Sequence, residues 1–261
     1  MGRNFKRVVF GSDFHCGHRV GLTPPKYQSQ INNKKYYDIQ RECWKWYVKT
    51  LDSLKPIDVY SVVGDLADGT GGRSGGTELI TSDMRIQGEM AVECIKQAEA
   101  EAVLITRGTA YHVSPGGQDI EDIIAKDVGA KKCEDHGWYD INGVIFDVKH
   151  HIGSTSVPYS KGTQVSKEQI LNLIWADYQD QPRASVFIRG HVHTFFHCGD
   201  TTWLGITLPA LQAMGSKFGA RRCSGHISFG IVSFDVFEDG SYTWMPHIIP
   251  VEAQKATALR L

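Results

Sequence analysis

The chain has no C-x-x-C pair, no run approaching the roughly 18 apolar residues of a membrane span, no excess of charge and no repeat or low-complexity stretch. Each absence removes a class of function. The six cysteines (Cys16, Cys43, Cys94, Cys133, Cys198 and Cys223) stand singly, which is unlike a disulfide framework or a Cys-rich zinc module, and they read as reduced and packed. A formal net charge of -1 argues against a protein held to nucleic acid or membrane by a global basic field, and leaves room only for a local basic patch. The apolar part of MGRNFKRVVFGSD is too short for a signal peptide, so the expected address is cytoplasmic, with no membrane partner.

What is present is an ordinary globular composition, 41% hydrophobic and 22% charged over 261 residues, enough for one sizeable core. Lys6 to Phe10 reads as a strand. Asp38 to Leu54 reads as an amphipathic helix, with Ile39, Cys43, Trp46, Tyr47, Leu51 and Leu54 at three- and four-residue steps. Ile57 to Val63 is a second strand, followed by the glycine-rich loop GDLADGTGGRSGGT. Ser82 is expected to cap a helix running to about Glu99, Ala102 to Thr106 to form a third strand and Asp119 to Val128 a third helix. The second half changes style. Asn142-Gly143 between two apolar runs signals a hairpin, and Ser166 with Gln169 resembles a capping box opening a helix to about Tyr178. Ala184 to Ile188 is again a strand, and two further hairpins follow, the last turning at Glu238, Asp239 and Gly240. This predicts a single domain over residues 1–261, with two sheets and helices outside them.

The strand ends carry the chemistry. Asp13 and His15 follow the first strand, Asp65 and Asp68 the second, and His112 the third; His150 and His151 end the hairpin strand, and His191 and His193 follow SVFI. Sites in α/β sheets gather outside the carboxyl ends of strands, so these groups are expected to converge although they are far apart in sequence. One histidine in such a place is more often structural; five strand ends of this kind are not explained that way. Imidazole nitrogens with carboxylate oxygens suit Mn²⁺, Fe, Zn²⁺ or Ni²⁺ rather than Ca²⁺. Asp65 has two oxygens and can span a pair of ions about 3.5–4 Å apart, which clamps a phosphoryl group and lowers the pKa of a bound water towards about 7. Two divalent cations are therefore the expected cofactors, Mn²⁺ first.

The ordered stretches SDFHCGH, VVGDLAD, KHHIG and RGHVH, spread over about Asp13 to His193, resemble the calcineurin-like metallophosphoesterases. The resemblance implies a four-layer α/β/β/α sandwich of two mixed sheets flanked by helices. It implies that Asp13, His15 and His193 hold one metal, that His150 and His191 help hold a second, and that Asp65 bridges both. Alternation through Phe146 and Val148 also favours His150 over His151. The third loop departs from the family. Where G-N-H-[DE] is usual the chain has RGTAYH, so Thr109 stands at the metal-ligating Asn and His112, the only histidine of that loop, takes the general-acid role two positions late.

Around this set, Asp68, Thr106 and Thr194 are candidates to orient the ligand imidazoles, Asp68 foremost. His18 and Arg73 are candidate substrate-phosphate contacts; GTGGRSGGT lacks the Lys-[Ser/Thr] ending of a P-loop and reads as a lip near the metals. The family's protein phosphatases carry Arg after G-D-x-x-D, where this chain has Gly69. The expectation is therefore a phosphodiesterase whose substrate is a nucleotide or nucleic acid, as in the family's nucleases. Lys161, Lys217, Arg221 and Arg222 could form a local phosphate-binding edge. A phosphomonoesterase of small molecules and a non-catalytic metal-binding interaction module on the same scaffold are the alternatives.

Overall fold

Alternate residues of the first strand face two different cores, and the architecture follows from that. The computed structural model describes residues 3–28, 34–72, 75–109, 119–155, 157–214, 226–256 and 258–260. In β1 (Phe5–Ser12), Val8 and Phe10 enter one apolar cluster and Val9 enters another, so the strand is covered on both faces. It lies inside a six-stranded sheet with β2 (Val59–Val63), β3 (Ala102–Thr106), β4 (Lys132–Glu134), β10 (Phe229–Phe237) and β11 (Tyr242–Ile249), in the order β11-β10-β1-β2-β3-β4. From β1 to β4 the strands are parallel; β10 runs antiparallel to both of its neighbours. A second sheet has the order β5-β6-β7-β9-β8, from β5 (His136–Ile141), β6 (Val144–Lys149), β7 (Val186–Arg189), β8 (Phe196–Gly199) and β9 (Leu204–Thr207). Its centre, β6-β7-β9, is parallel.

The sheets pack face to face through Val8, Phe10, Val232 and Phe234 on one side and Phe146, Val148, Ile188 and Ile206 on the other. Phe146 meets Phe234 edge to face, with ring centroids 5.2 Å apart, the favourable arrangement of aromatic quadrupoles. The outer face of the first sheet, with Val9, Tyr60, Val62 and Ile105, buries Ile39, Cys43, Tyr47 and Leu51 of α2 (Lys34–Leu54), Met90 and Cys94 of α3 (Met84–Lys96) and Ile124 of α4 (Ile120–Val128). The one-turn α1 is Pro25–Gln28 and α5 is Lys161–Asp177; α5 lies on the outer face of the second sheet, against β8 and β9. The result is the four-layer α/β/β/α sandwich of two mixed sheets that the sequence led us to expect. The five cysteines among the described residues are unpaired, and no helix there is long and apolar enough to cross a membrane.

Three helix starts differ from expectation, the first being α2, which begins at Lys34, four residues before Asp38. The α3 cap is Asp83 rather than Ser82: its Oδ1 accepts from the amides of Arg85 (2.9 Å) and Ile86 (3.4 Å). Helix α5 begins five residues before Ser166, because a 3-10 turn over Pro158–Ser160 runs directly into it, so Ser166 sits inside the helix and caps nothing. Val165 is fully buried on the inward side of α5, next to Gly205 of β9, and polar contacts add to it. Asn172 donates to the Pro182 carbonyl (3.0 Å) and accepts from the Ala184 amide (2.9 Å). Glu168 accepts from Lys149 (2.6 Å) and from Arg189 (3.0 Å). Arg189 is almost wholly buried and also pairs with Asp147 at 2.7 Å.

Removing one partner of a buried ion pair strands the other, which costs about 3–5 kcal/mol, whereas replacing both with apolar groups is often nearly neutral. Arg189→Met should lower urea stability by that order, and Arg189→Met/Asp147→Leu should recover part of it. A double variant less stable than the single one would show that Asp147 is not the stranded charge.

Candidate metal centre

Beyond their last paired residues, β1 and β2 stay zipped through their loops. Asp13 donates its amide to the Gly64 carbonyl (3.1 Å), His15 to Asp65 (2.9 Å) and Cys16 to Leu66 (2.9 Å). The backbone reaches this path by entering the left-handed region at Asp13 (φ 54), His15 (φ 45) and Asp65 (φ 51), and the loop after β7 does the same at His191 (φ 71) and His193 (φ 54). These are five of the eight non-glycine residues with positive φ among the described residues. Such a conformation disfavours an L residue by about 1–2 kcal/mol, and its concentration on the motif residues marks a place where geometry is held against local preference. Glycines make the room. A Cβ on Gly64, itself at φ 70, would strike the His150 ring, and one on Gly108 would strike the Asp65 carboxylate.

Six of the side chains singled out in the sequence form two groups, Asp13 with His15 and His193, and Asp65 with His150 and His191; within each group the ligand atoms lie within 4.8 Å of one another. His193 Nε2 is 3.1 Å from Asp13 Oδ1 and 3.3 Å from His15 Nε2. His150 Nε2 is 3.1 Å from Asp65 Oδ2. The groups adjoin, since Asp65 Oδ2 is also 3.9 Å from His15 Nε2, and Asp13 Oδ1 is 4.0 Å from His150 Nε2. Asp13, His15, Asp65 and His150 are buried while His191 and His193 are half-buried, so the site opens on the side of the second sheet. His151 is exposed, stacked near His191 at 4.8 Å between centroids, and takes no part in either group.

The hydrogen bonds behind the groups select which ring nitrogen faces inward. His150 Nδ1 lies 2.8 Å from the Val63 carbonyl, which can only accept, so Nδ1 carries the hydrogen and the Nε2 of a neutral ring turns its lone pair to the site. His15 Nδ1 is held in the same way by Asp68 Oδ1 at 3.0 Å. Asp13 Oδ1 and His150 Nε2 are buried and have no hydrogen-bond partner. Buried polar atoms of this kind call for an explanation, and a cation between them supplies one. The imidazole and carboxylate donor set fits a divalent transition metal.

Electrostatics point the same way. Burial opposes charge on Asp13, yet His193 and His150 outweigh it and hold the carboxyl at about 2. For His150, burial disfavours the proton, but Asp13 and Asp65 raise the ring from 6.5 to about 9. His15 is raised by Asp68, Asp65 and Asp13 against the same burial, whereas burial, with the charge on His150, lowers His191. The two buried carboxylates make this a pocket for positive charge.

The remaining residues fall as follows. Thr109 donates its amide (2.7 Å) and its hydroxyl (3.1 Å) to Asp65 Oδ1, which brings it to the site through that carboxylate. His18 is buried, which lowers its pKa, and its Nδ1 accepts from the Val20 amide at 3.1 Å, leaving the hydrogen of a neutral ring on Nε2. Arg73 and His112 lie outside the described residues, as do Lys217, Arg221 and Arg222. Of the three candidates for orienting imidazoles, Asp68 does so; Thr194 instead donates to the His226 carbonyl (2.9 Å), and the buried Thr106 hydroxyl makes no hydrogen bond. Sequence reasoning missed Ser12, whose hydroxyl lies 2.5 Å from Asp13 Oδ2 and 2.6 Å from the Val63 carbonyl, and Gln87, which clamps Gly69 by its amide (2.9 Å) and carbonyl (2.8 Å). It also missed Glu121, whose carboxyl burial raises to about 7, with a further contribution from Asp65. Their positions carry no local pattern.

No protein-family model matches the chain, and no curated protein matches it in sequence. Solved structures do. Vacuolar Protein Sorting 29 from Cryptosporidium parvum is 10% identical with a TM-score of 0.50, over 95% of this chain and 99% of that one. An archaeal phosphodiesterase is 12% identical at 0.46, covering 92% and 99%, and the Entamoeba histolytica Vps29 complexed with zinc is 11% identical at 0.43, covering 93% and 98%. The likeness is one of fold: the chain has the fold of the calcineurin-like metallophosphoesterases.

The raised His150 pKa has a consequence for the ion-free protein. A folded-state value of about 9 against 6.5 when unfolded gives stability that is fully present below about pH 6.5 and is lost as the pH rises through 9. A shift of this size corresponds to about 3 kcal/mol. The depressed Asp13 value expresses part of the same contacts from the other side and is not added to it. Urea unfolding of chelator-treated protein between about pH 6 and pH 10 should show that loss, and His150→Gln should flatten it. An unchanged slope in the variant would remove His150 as its source.

Proposed function

We propose that the protein is a metal-dependent phosphoesterase acting on a phosphodiester, a nucleotide or nucleic-acid linkage. The observation that carries this reading is the pair of adjoining three-residue groups, each with a buried, hydrogen-bond-less ligand atom turned inward. In this reading Asp13, His15 and His193 hold one divalent ion, His150 and His191 a second, and Asp65 contributes to both, with Mn²⁺ the first metal to test and Fe, Zn²⁺ and Ni²⁺ after it. Such a pair of ions, when bound, clamps a phosphoryl group and lowers the pKa of a coordinated water towards about 7. Asp68 and the Val63 carbonyl fix the tautomers of His15 and His150, and Thr109 fixes the Asp65 carboxylate by two hydrogen bonds. His18, with its Nε2 hydrogen, is the neutral donor for a phosphate oxygen, and Arg73 the charged one. His112 protonates the leaving group. Gly69, at φ 83 and clamped by Gln87, stands where the family's protein phosphatases carry arginine, which speaks against a protein-phosphatase reading.

The test is a metal-reconstituted panel of bis-p-nitrophenyl phosphate, p-nitrophenyl phosphate, cyclic nucleotides and single- and double-stranded DNA and RNA. Diester turnover is expected only with metal. Asp65→Asn should keep the fold, since asparagine tolerates left-handed backbone, but lower metal content and reduce turnover at least about a hundredfold. A folded Asp65→Asn protein with full metal and activity would sink the two-ion reading, and a wild-type protein that takes up no metal would sink the enzyme.

His112→Ala separates acid catalysis from ligation. A general acid contributes about 10²–10⁴-fold where the leaving group needs a proton. The variant should lose that factor on a nucleotide linkage, keep most activity on a nitrophenyl ester and retain its metal. Equal loss on both substrates together with the metal would make His112 a ligand instead.

A further inference from the structure

Asp13 faces the site with one oxygen only. The Nε2 atoms of His193, His15 and His150 lie 3.1, 3.9 and 4.0 Å from its Oδ1, the atom that is buried without a hydrogen-bond partner. Its Oδ2 is turned to the protein, where the Ser12 hydroxyl lies 2.5 Å away and the His191 amide donates at 3.1 Å. The torsion that sets the plane of an aspartate carboxylate is broad, so the side chain does not choose between its oxygens by itself. The two donors make the choice. Ser12 is wholly buried, and a hydroxyl has one hydrogen to give. Of the two acceptors beside it, the Val63 carbonyl at 2.6 Å already receives the Nδ1 hydrogen of His150, whereas the contact with Asp13 has the length of a charge-assisted hydroxyl–carboxylate bond. Gly190, just past β7, leaves the room for this arrangement, since a Cβ there would strike Ser12 Oγ.

We propose that Ser12 is a positioning residue that fixes Asp13 as a one-oxygen ligand and thereby helps to set which cation the site prefers. The inference rests on the reading of Asp13 as a ligand. A first-row transition ion is well served by imidazole nitrogens and single carboxylate oxygens. Ca²⁺ instead takes about six to eight oxygens, and often both oxygens of one carboxylate. With Oδ2 held back by Ser12 and the His191 amide, Asp13 offers Ca²⁺ one oxygen where that ion could use two. Without the hydroxyl, Oδ2 keeps a single donor and the carboxylate plane is free to turn, so that both oxygens can face inward. Ser12 thus acts on the ion through Asp13, and its removal should change the order of preference among ions as well as the strength of binding.

Binding of Mn²⁺ to the chelator-treated full chain, read from the electron paramagnetic resonance of free Mn²⁺ with Ca²⁺ as a silent competitor, tests this. Ser12→Ala should weaken one Mn²⁺ binding step by about 10–100-fold, the usual cost of losing a group behind a metal ligand. Against the variant, Ca²⁺ should compete at least about tenfold more effectively than against wild type. Gly190→Ala keeps the serine but displaces its hydroxyl, and should shift the competition in the same direction. A purely structural role would weaken both ions together and leave their ratio unchanged. An unchanged Mn²⁺/Ca²⁺ ratio in Ser12→Ala protein with wild-type far-ultraviolet circular dichroism therefore overturns the proposal, and if Ser12→Ala does not fold, an unchanged ratio in Gly190→Ala does so. Wild type that binds no Mn²⁺ removes the metal reading and this proposal with it, whereas wild type that binds Mn²⁺ beside a variant of unchanged ratio overturns this proposal alone.

Discussion

Two carboxylates, Asp13 and Asp65, are buried beside each other at the ends of adjacent parallel strands, and most of the site can be understood as a response to that. Like charges out of water are unfavourable unless opposite charge comes close. Here it comes from histidines: Nε2 atoms of His193 and His150 stand 3.1 Å from the two carboxylates. The loops turn left-handed to present these side chains inward, and the hydrogen bonds of Asp68, Ser12, Thr109 and the Val63 carbonyl lie behind them, holding each group from its outer side.

The fold makes the encounter inevitable. Parallel strands have all their carboxyl ends on one side; in the first sheet they run from β1 out to the edge strand β4, and in the second they occupy the centre. Two such sheets packed face to face through Phe10, Phe146 and Phe234 bring their loop-bearing edges together. The α helices add the outer covers without entering this edge, apart from α4, whose first turn carries the buried Glu121 near Asp65.

What was legible in the sequence, and what was not, divides along the same line. Strands announced themselves by β-branched runs, and the groups just beyond them by residue types that are expensive to bury; Asp13, His15, Asp65, His150, His191 and His193 are brought together from four segments of chain on that signal alone. The preference for His150 over His151 came from strand alternation, and the structure puts only His150 in the cluster. Hydroxyl residues were poorly legible, since a serine or threonine finds a partner in many directions: Thr194 turns to a backbone carbonyl, while Ser12, which nothing singled out, reaches Asp13. Boundaries failed where neighbouring caps compete, Ser82 against Asp83, and where a 3-10 turn extends a helix backwards, as before α5. The buried Arg189, Asp147 and Glu168 network joins positions 21 and 42 residues apart and leaves no trace in local pattern.

Each of the two groups draws from both sheets: Asp13 and His15 with His193, Asp65 with His150 and His191. Neither sheet alone owns a full set of donors. A cation therefore finds its complete cradle only on a chain whose halves have already closed on each other, and a half-made chain offers it nothing better than loose histidines. Loading would thus act as an inspection of assembly: an ion held there would discriminate finished molecules from unfinished ones, and would fasten the two layers of strands like a rivet at their common edge.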